Sequence, residues 1–378
     1  MNDRNRKTDT NEIDSRKQPL WYSGRYFDYP LFGIVLGLVL FGLVMVYSTS
    51  SYRADELYDD STYFAKRQLV FELVALVGMF LVSKIDYRRY ARYSKYFLYV
   101  AIALLVLVYI IGSASHGSTR WIYIGAFGFQ PSEFAKLALI VYTADICTRK
   151  PRSLNTIKGL AKMLLLPLIT IVLIAIENLS TAIICFGIVM IIVFVASPKN
   201  WHFILMGVLG ILMCVVFIAT AGYRADRIRI WLAPEKYDDG YQTMQSLYAI
   251  GSGGFFGRGL GNSIQKMGFI PESHNDMIFS VICEELGLFG AVLTIIMFIL
   301  LIYRCTVLAI NSGDRFGGLI AVGVMAHIAV QVLINISVVT NTIPPTGVPL
   351  PFISYGGSSI FFLLLEMGLM FAVARQIK

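Results

Sequence analysis

Residues 29–49 read YPLFGIVLGLVLFGLVMVYST, a run of twenty-one residues without a charge. About 20 apolar residues in a helix cross the roughly 30 Å hydrocarbon core of a bilayer. A helix apolar on every side cannot lie on the surface of a soluble domain. The stretch therefore reads as a membrane span, and it sets how the rest of the chain is read.

Nine further runs of the same kind follow, at roughly 66–83, 96–112, 131–148, 163–177, 180–197, 202–220, 276–302, 317–336 and 355–374. The fifth span is short, and only the hairpin ENLST separates it from the sixth. The whole composition agrees: 56% of the 378 residues are hydrophobic and 15% are charged, where a soluble domain carries about 25% charge. Mean hydropathy is +0.66. The expected fold is an all-α integral membrane protein of ten transmembrane helices.

The net charge is +8, and its placement decides its meaning. Basic residues concentrate in the N-terminal tail, in KIDYRRYARYSK (84–95), between Arg149 and Lys162, and at Arg375 and Lys378. With these segments on one face, the positive-inside rule makes both termini cytoplasmic. The basic excess is then topogenic and faces lipid headgroups; no nucleic-acid partner is indicated. Residues 1–28 read as a disordered cytoplasmic tail and 29–378 as the membrane domain. One long extracytoplasmic loop, 221–275, joins spans seven and eight. Its first part alternates charges with Ile, Trp and Tyr, as in segments lying on a membrane surface. Its second part is rich in glycine. The five cysteines show no metal or disulfide spacing.

Polar groups inside spans cost about 2.5–3.5 kcal/mol each on insertion scales, so each needs a reason. In FQPSEFAKLAL (129–139), Pro131 suits a first helical turn, and Glu133 and Lys136 share a helix face. They form either an ion pair that joins helices or the wall of a polar cavity. His327, Gln331 and Asn335 make one stripe at i, i+4 and i+8. Glu366 lies mid-span with no local partner. In 341–359 four prolines exclude a helix, and the following Ser354–Ser359 turn offers hydroxyls and N–H groups suited to phosphate, or forms a structural plug. In FIPESHNDMIF (269–279), Asn275 reads as the cap of the eighth span and Asp276 as a residue of its first turn. There is no nucleotide-binding, nucleophile-elbow or zincin motif.

Four stretches then carry a resemblance: RWIYIGAFGFQPSEFAKLALI (120–140), GYQTMQSLYAIGSGGFFGRGLGNSIQK (240–266), FIPESHNDMIFSVICEELGLFG (269–290) and PPTGVPLPFISYGGSS (344–359). In this order they resemble the SEDS family (shape, elongation, division, sporulation), whose branches include FtsW, RodA and SpoVE. The wording around QSLYAIGSGG is closest to the FtsW and SpoVE branch. The resemblance implies a multi-pass enzyme of the bacterial plasma membrane, a peptidoglycan glycosyltransferase that polymerises lipid II during division or sporulation and releases polyprenyl diphosphate. It implies Asp276 as general base of an inverting transfer.

Substrate contacts are expected from Arg120, Glu133, Lys136, Arg258, Lys266, Glu272, His274, Ser354, Gly356, Gly357 and Ser358. No metal ligands are assigned, although a divalent cation (Mg or Mn) could help neutralise the diphosphate. The expected partners are a class B penicillin-binding protein and membrane lipids. A lipid II flippase and a non-catalytic scaffold are the competing readings. The chain departs from the family pattern at IENLSTA (176–182), where Glu177 replaces the usual proline and Asn178 the usual acid.

Overall fold

The computed structural model describes residues 27–111, 113–115, 118–124, 127–199, 201–219, 222–271 and 273–377. The predicted tail (1–28) and Glu272 fall outside these, apart from Phe27 and Asp28. In chain order the elements are α1 (Tyr29–Tyr58), α2 (Tyr63–Lys84), α3 (Arg88–Ile111), β1 (Ser113–Ser115), β2 (Ser118–Ile124), β3 (Phe127–Phe129), α4 (Pro131–Arg149), α5 (Ile157–Glu177), α6 (Leu179–Ala196), α7 (Trp201–Ala219), α8 (Gly222–Leu232), α9 (Tyr241–Ser252), α10 (Ile278–Asn311), α11 (Arg315–Val339) and α12 (Gly357–Ala374).

Each predicted span falls on a helix: α1 to α7, then α10 to α12. Among the described residues, α1, α3, α5, α6, α10, α11 and α12 are long and apolar enough to cross a membrane. Of the remaining three, α2 and α4 do not reach that standard by themselves, and the described part of α7 includes the apolar stretch Phe203–Met213. In α2 and α4 the reason is charge, from Lys66, Arg67 and Glu72 in one and Glu133, Lys136 and Asp145 in the other. The weakest predicted span is a full helix of 21 residues despite Pro167 within it.

Two features lie outside the expectation. The link between α3 and α4 is a small antiparallel sheet in the order β1-β2-β3, with Ile122 opposite Phe129. The long loop contains α8 and α9.

Caps fix the helix ends. Asp28 Oδ1 accepts from Leu31 N at 2.9 Å, and its Oδ2 holds Arg304 at 2.6 Å, tying α1 to α10. Asp314 Oδ1 caps Gly317 N at 2.8 Å, while its Oδ2 accepts from Tyr87 and Arg88. Asn178 Oδ1 accepts from Ser180 N and Thr181 N at the start of α6. Asn178 thus caps α6, a position that Asn and Asp fill equally well. The core centres on α4, α11 and α12, whose buried residues lie on all sides. Around them α2 packs on α12, α10 on α11, and α6 on α11 and α4.

Candidate functional site

Asp276 sits just before α10, which begins at Ile278. This corrects the sequence reading of its neighbour: the cap position is Met277, with no side-chain capping bond, and Asn275 is not the cap. It also puts Asp276 ahead of the first turn. What holds this bend is tertiary. Asn335 Nδ2 on α11 donates to the Asp276 carbonyl at 2.7 Å and to the Val348 carbonyl at 2.8 Å. Ser354 Oγ donates to the Asn275 carbonyl at 2.6 Å and accepts from Leu350 N at 2.8 Å. Tyr355 N donates to the His274 carbonyl at 2.9 Å. Ser273 Oγ donates to the Thr49 carbonyl of α1 at 3.2 Å.

The proline-rich segment 344–356 is the other wall. It has no regular structure from Pro344 to Leu350, because prolines lack the N–H that a helix needs. It lies against Asp276: a Cβ at Gly347 would be 3.7 Å from Asp276 Oδ2. Gly347 has φ +65°, a left-handed conformation that a side chain would strain. His274 is buried, with its ring centroid 4.9 Å from Phe64 and 5.6 Å from Tyr355. Burial in this aromatic setting, with Arg53 adding repulsion, lowers its pKa from 6.5 to about 4.

The turn after this segment is bonded to α2 and β3. Gly356 N donates to Gln68 Oε1 at 3.2 Å, and Ser358 Oγ donates to the Gly128 carbonyl at 2.6 Å. Gly357 lies against Phe71, where a Cβ would be 2.7 Å from the ring.

Glu133 and Lys136 form the ion pair that their spacing suggested, at 2.9 Å, with Lys136 only 2% exposed. Lys136 Nζ also donates to Gln331 Oε1 at 3.2 Å. Gln331 in turn meets His327, and His327 meets Glu366 at 2.8 Å. Sequence spacing gave the stripe on α11, but only the tertiary fold gives Glu366 its partner.

Two of the remaining cations, Arg258 and Lys266, sit at a second centre that sequence reasoning missed. α10 is broken at Gly287 (φ +67°). The break exposes main-chain groups, and the glycine-rich loop pairs with them. Arg258 N and Gly259 N donate to the carbonyls of Glu284 and Glu285, and Leu288 N and Phe289 N donate to Gly254 and Phe255. Backbone touches backbone here: a Cβ at Gly257 would lie 2.1 Å from the Glu285 oxygen.

Glu284 accepts from Ser263 Oγ, Ile264 N at 3.0 Å and Gln265 N at 3.3 Å. Glu285 pairs with Lys266 at 2.7 Å, bridged by Ser48. Arg258 Nη1 is 3.7 Å from Glu284 and keeps 36% of its side chain exposed. Arg120 donates to the Glu177 carbonyl at the α5–α6 hairpin at 3.1 Å. The available signal was the doublet Glu284-Glu285 inside an apolar helix, too costly to bury without partners.

The structure thus gathers Asp276, His274, Ser354 and Gly347 at one bend. Glu133 and Lys136 join the network on α11, which reaches the same segment through Gln331 Nε2 and the Pro349 carbonyl at 3.0 Å. Arg258 and Lys266 belong to the α10 break, and Arg120 to the α5–α6 hairpin.

Known proteins match over the same range. The family described as cell cycle protein, that of FtsW, RodA and SpoVE, matches residues 29–378. Stage V sporulation protein E of Bacillus subtilis is 40% identical over 348 residues, covering 90% of this chain and 95% of its own length. A probable peptidoglycan glycosyltransferase FtsW of Trichlorobacter lovleyi is 37% identical, with 93% and 94% covered.

Among solved structures, a chain from work on the structural coordination of polymerization and crosslinking by a peptidoglycan synthase complex superposes with TM-score 0.78. It is 27% identical, with 93% of this chain and 98% of that chain covered. The Thermus thermophilus rod shape determining protein RodA gives TM-score 0.69 at 26% identity, with 95% and 99% covered. With the match unbroken from the first span to the last residue, this chain belongs to the cell cycle protein (SEDS) family, on its FtsW and SpoVE branch.

Proposed function

We propose that this chain is a peptidoglycan glycosyltransferase that polymerises lipid II, with Asp276 as general base. The observation that carries the assignment is the bend before α10. A carboxylate stands there at the end of the loop, beside an irregular proline-rich wall, with its main chain held by Asn335. Irregular backbone at membrane depth is tolerated where it lines protein or a wet cavity.

In the reaction, the 4-hydroxyl of an acceptor GlcNAc attacks the anomeric carbon of a lipid-linked MurNAc. Its proton passes to the Asp276 carboxylate as the O4–C1 bond forms. The C1–O bond to diphosphate breaks on the opposite face, its electron pair leaves with polyprenyl diphosphate, and the anomeric centre inverts. Positioned general-base catalysis contributes about 10²–10⁴-fold.

The leaving diphosphate needs positive charge. Lys136 and Lys266 are buried and committed to Glu133 and Glu285. Arg258 and Arg120 keep more of their side chains accessible and are the cations we assign to the headgroup. Replacing either with Ala raises KM for lipid II. Among the described residues no group of three or more His, Cys, Asp or Glu could hold a metal. We place a divalent cation with the incoming diphosphate: chelation lowers the rate without lowering the thermal stability of the free protein. The apolar groove between α1 and α2, lined by Leu43, Val44, Tyr47, Ala65 and Leu69 with Lys66 at its edge, suits a polyprenyl tail.

The topology completes the reading. We assign ten crossings, both termini in the cytoplasm, residues 221–275 outside, and residence in the bacterial plasma membrane. The charged α2 and α4 cross with their inner polar groups buried and paired, Gln68 with Glu72 on α2 and Glu133 with Lys136 on α4, while Lys66 near the start of α2 stays exposed and pairs with Asp60. A class B penicillin-binding protein supplies cross-linking, in keeping with the synthase complex of the structural neighbour. The test is polymerisation of labelled lipid II by the purified protein with its partner, parent against Asp276→Asn. Polymer from the parent and none from the variant supports the reading; equal polymer refutes it.

A further inference from the structure

The buried polar group on α11 contains a hydrogen-bond chain whose direction can be worked out. Gln331 Nε2 lies 3.0 Å from the Pro349 carbonyl, which only accepts. Gln331 Oε1 lies 3.2 Å from Lys136 Nζ, which only donates. These two neighbours identify which end of the amide is oxygen and which is nitrogen. His327 Nε2, 2.8 Å from the same Oε1, must then carry a hydrogen and donate. With Nε2 protonated, the 2.8 Å contact between His327 Nδ1 and Glu366 Oε2 holds one further hydrogen, whichever of the two atoms it is bonded to. The chain runs one way, from the Glu366–His327 pair through Gln331 to the Pro349 carbonyl. All three side chains are buried. One turn along, Asn335 holds Val348 and Asp276. The proline-rich wall is therefore pinned at consecutive carbonyls, and Gly347 is the next residue towards the Asp276 carboxylate.

We propose that His327 and Glu366 are positioning residues for glycosyl transfer: they fix the Gln331 amide and, through Pro349, the wall that faces Asp276. The inference rests on Asp276 being the catalytic base. It assigns a role to two residues that neither touch the reacting atoms nor follow from any motif.

The test uses the full chain with its transpeptidase partner and lipid II. Glu366→Leu removes the partner of His327 Nδ1. Misplacement on the scale of 1 Å can cost about 10²-fold, so kcat is expected to fall between about 10- and 100-fold while KM changes little. Glu366→Gln restores most of the rate, because its amide can donate to Nδ1 and keep the chain's direction. Glu366→Asp withdraws the carboxyl by one methylene and gives an intermediate loss; it carries the comparison where the Leu variant is not recovered folded.

A parental kcat in Glu366→Asp or in folded Glu366→Leu overturns the proposal, and so does a Gln variant as poor as Leu. Asp276→Asn is measured alongside. If it polymerises normally, the assignment of the base fails; if it is inactive while the Glu366 variants are unaffected, only the positioning role fails.

Discussion

Asp276 is anchored by its main chain, through Asn335 and the neighbouring Asn275–Ser354 contact, and not by helix geometry. Two outcomes follow at this scale. Gly347→Ala places a methyl 3.7 Å from the Asp276 carboxylate in a left-handed conformation; the strain is about 1–2 kcal/mol, and a lowered kcat beside a slightly lowered Tm is the expected result. His274 gives a pH signature. Its pKa is about 4 in the fold against 6.5 ordinarily, so between these values the unfolded chain binds more protons and stability falls as pH falls. Above 6.5 the term is flat. His274→Phe, which keeps an aromatic ring between Phe64 and Tyr355, flattens the loss of Tm between pH 6.5 and 4 in a thermal-unfolding series.

At the scale of elements, α10 and the glycine-rich loop act as one unit. The helix breaks at Gly287, and the loop satisfies the freed groups on both sides of the break. The buried Glu285 then depends on Lys266. Removing one partner of a buried pair costs about 3–5 kcal/mol, whereas replacing both can be near neutral. Lys266→Met alone should sharply lower Tm, and adding Glu285→Gln should recover most of it. Equal Tm values for the single and double variants would contradict the pairing.

This is also where sequence legibility ended. Pro131, Glu133 and Lys136 were readable because helical spacing alone makes them neighbours. The stripe on α11 was readable for the same reason. Glu366 and Glu284–Glu285 found their partners only through contacts across the fold. Asn275 looked like a cap because its residue type is a good one, but Ser354 bonds to its main chain and the helix starts later. The sheet at 113–129 was missed because its strands are short, with β1 and β3 three residues each.

At the scale of the molecule, the span positions were legible because a bilayer demands long apolar helices. The positions of α2 and α4 were legible in the same way, and burial accounts for Glu72 in the one and for Glu133 and Lys136 in the other. The assigned topology predicts that a membrane-impermeant thiol reagent labels Asn262→Cys in intact cells, and labels Asn311→Cys only after permeabilisation. Both positions are exposed. Labelling in the reverse order would contradict it.

The account's central claim is that Asp276 takes the proton of the attacking hydroxyl. It is tested most directly by single-turnover polymerisation of lipid II by purified protein and partner, parent against Asp276→Asn. The account predicts a rate lower by about 10²–10⁴-fold, with unchanged Tm and unchanged partner binding. A variant that polymerises at close to the parental rate would contradict it.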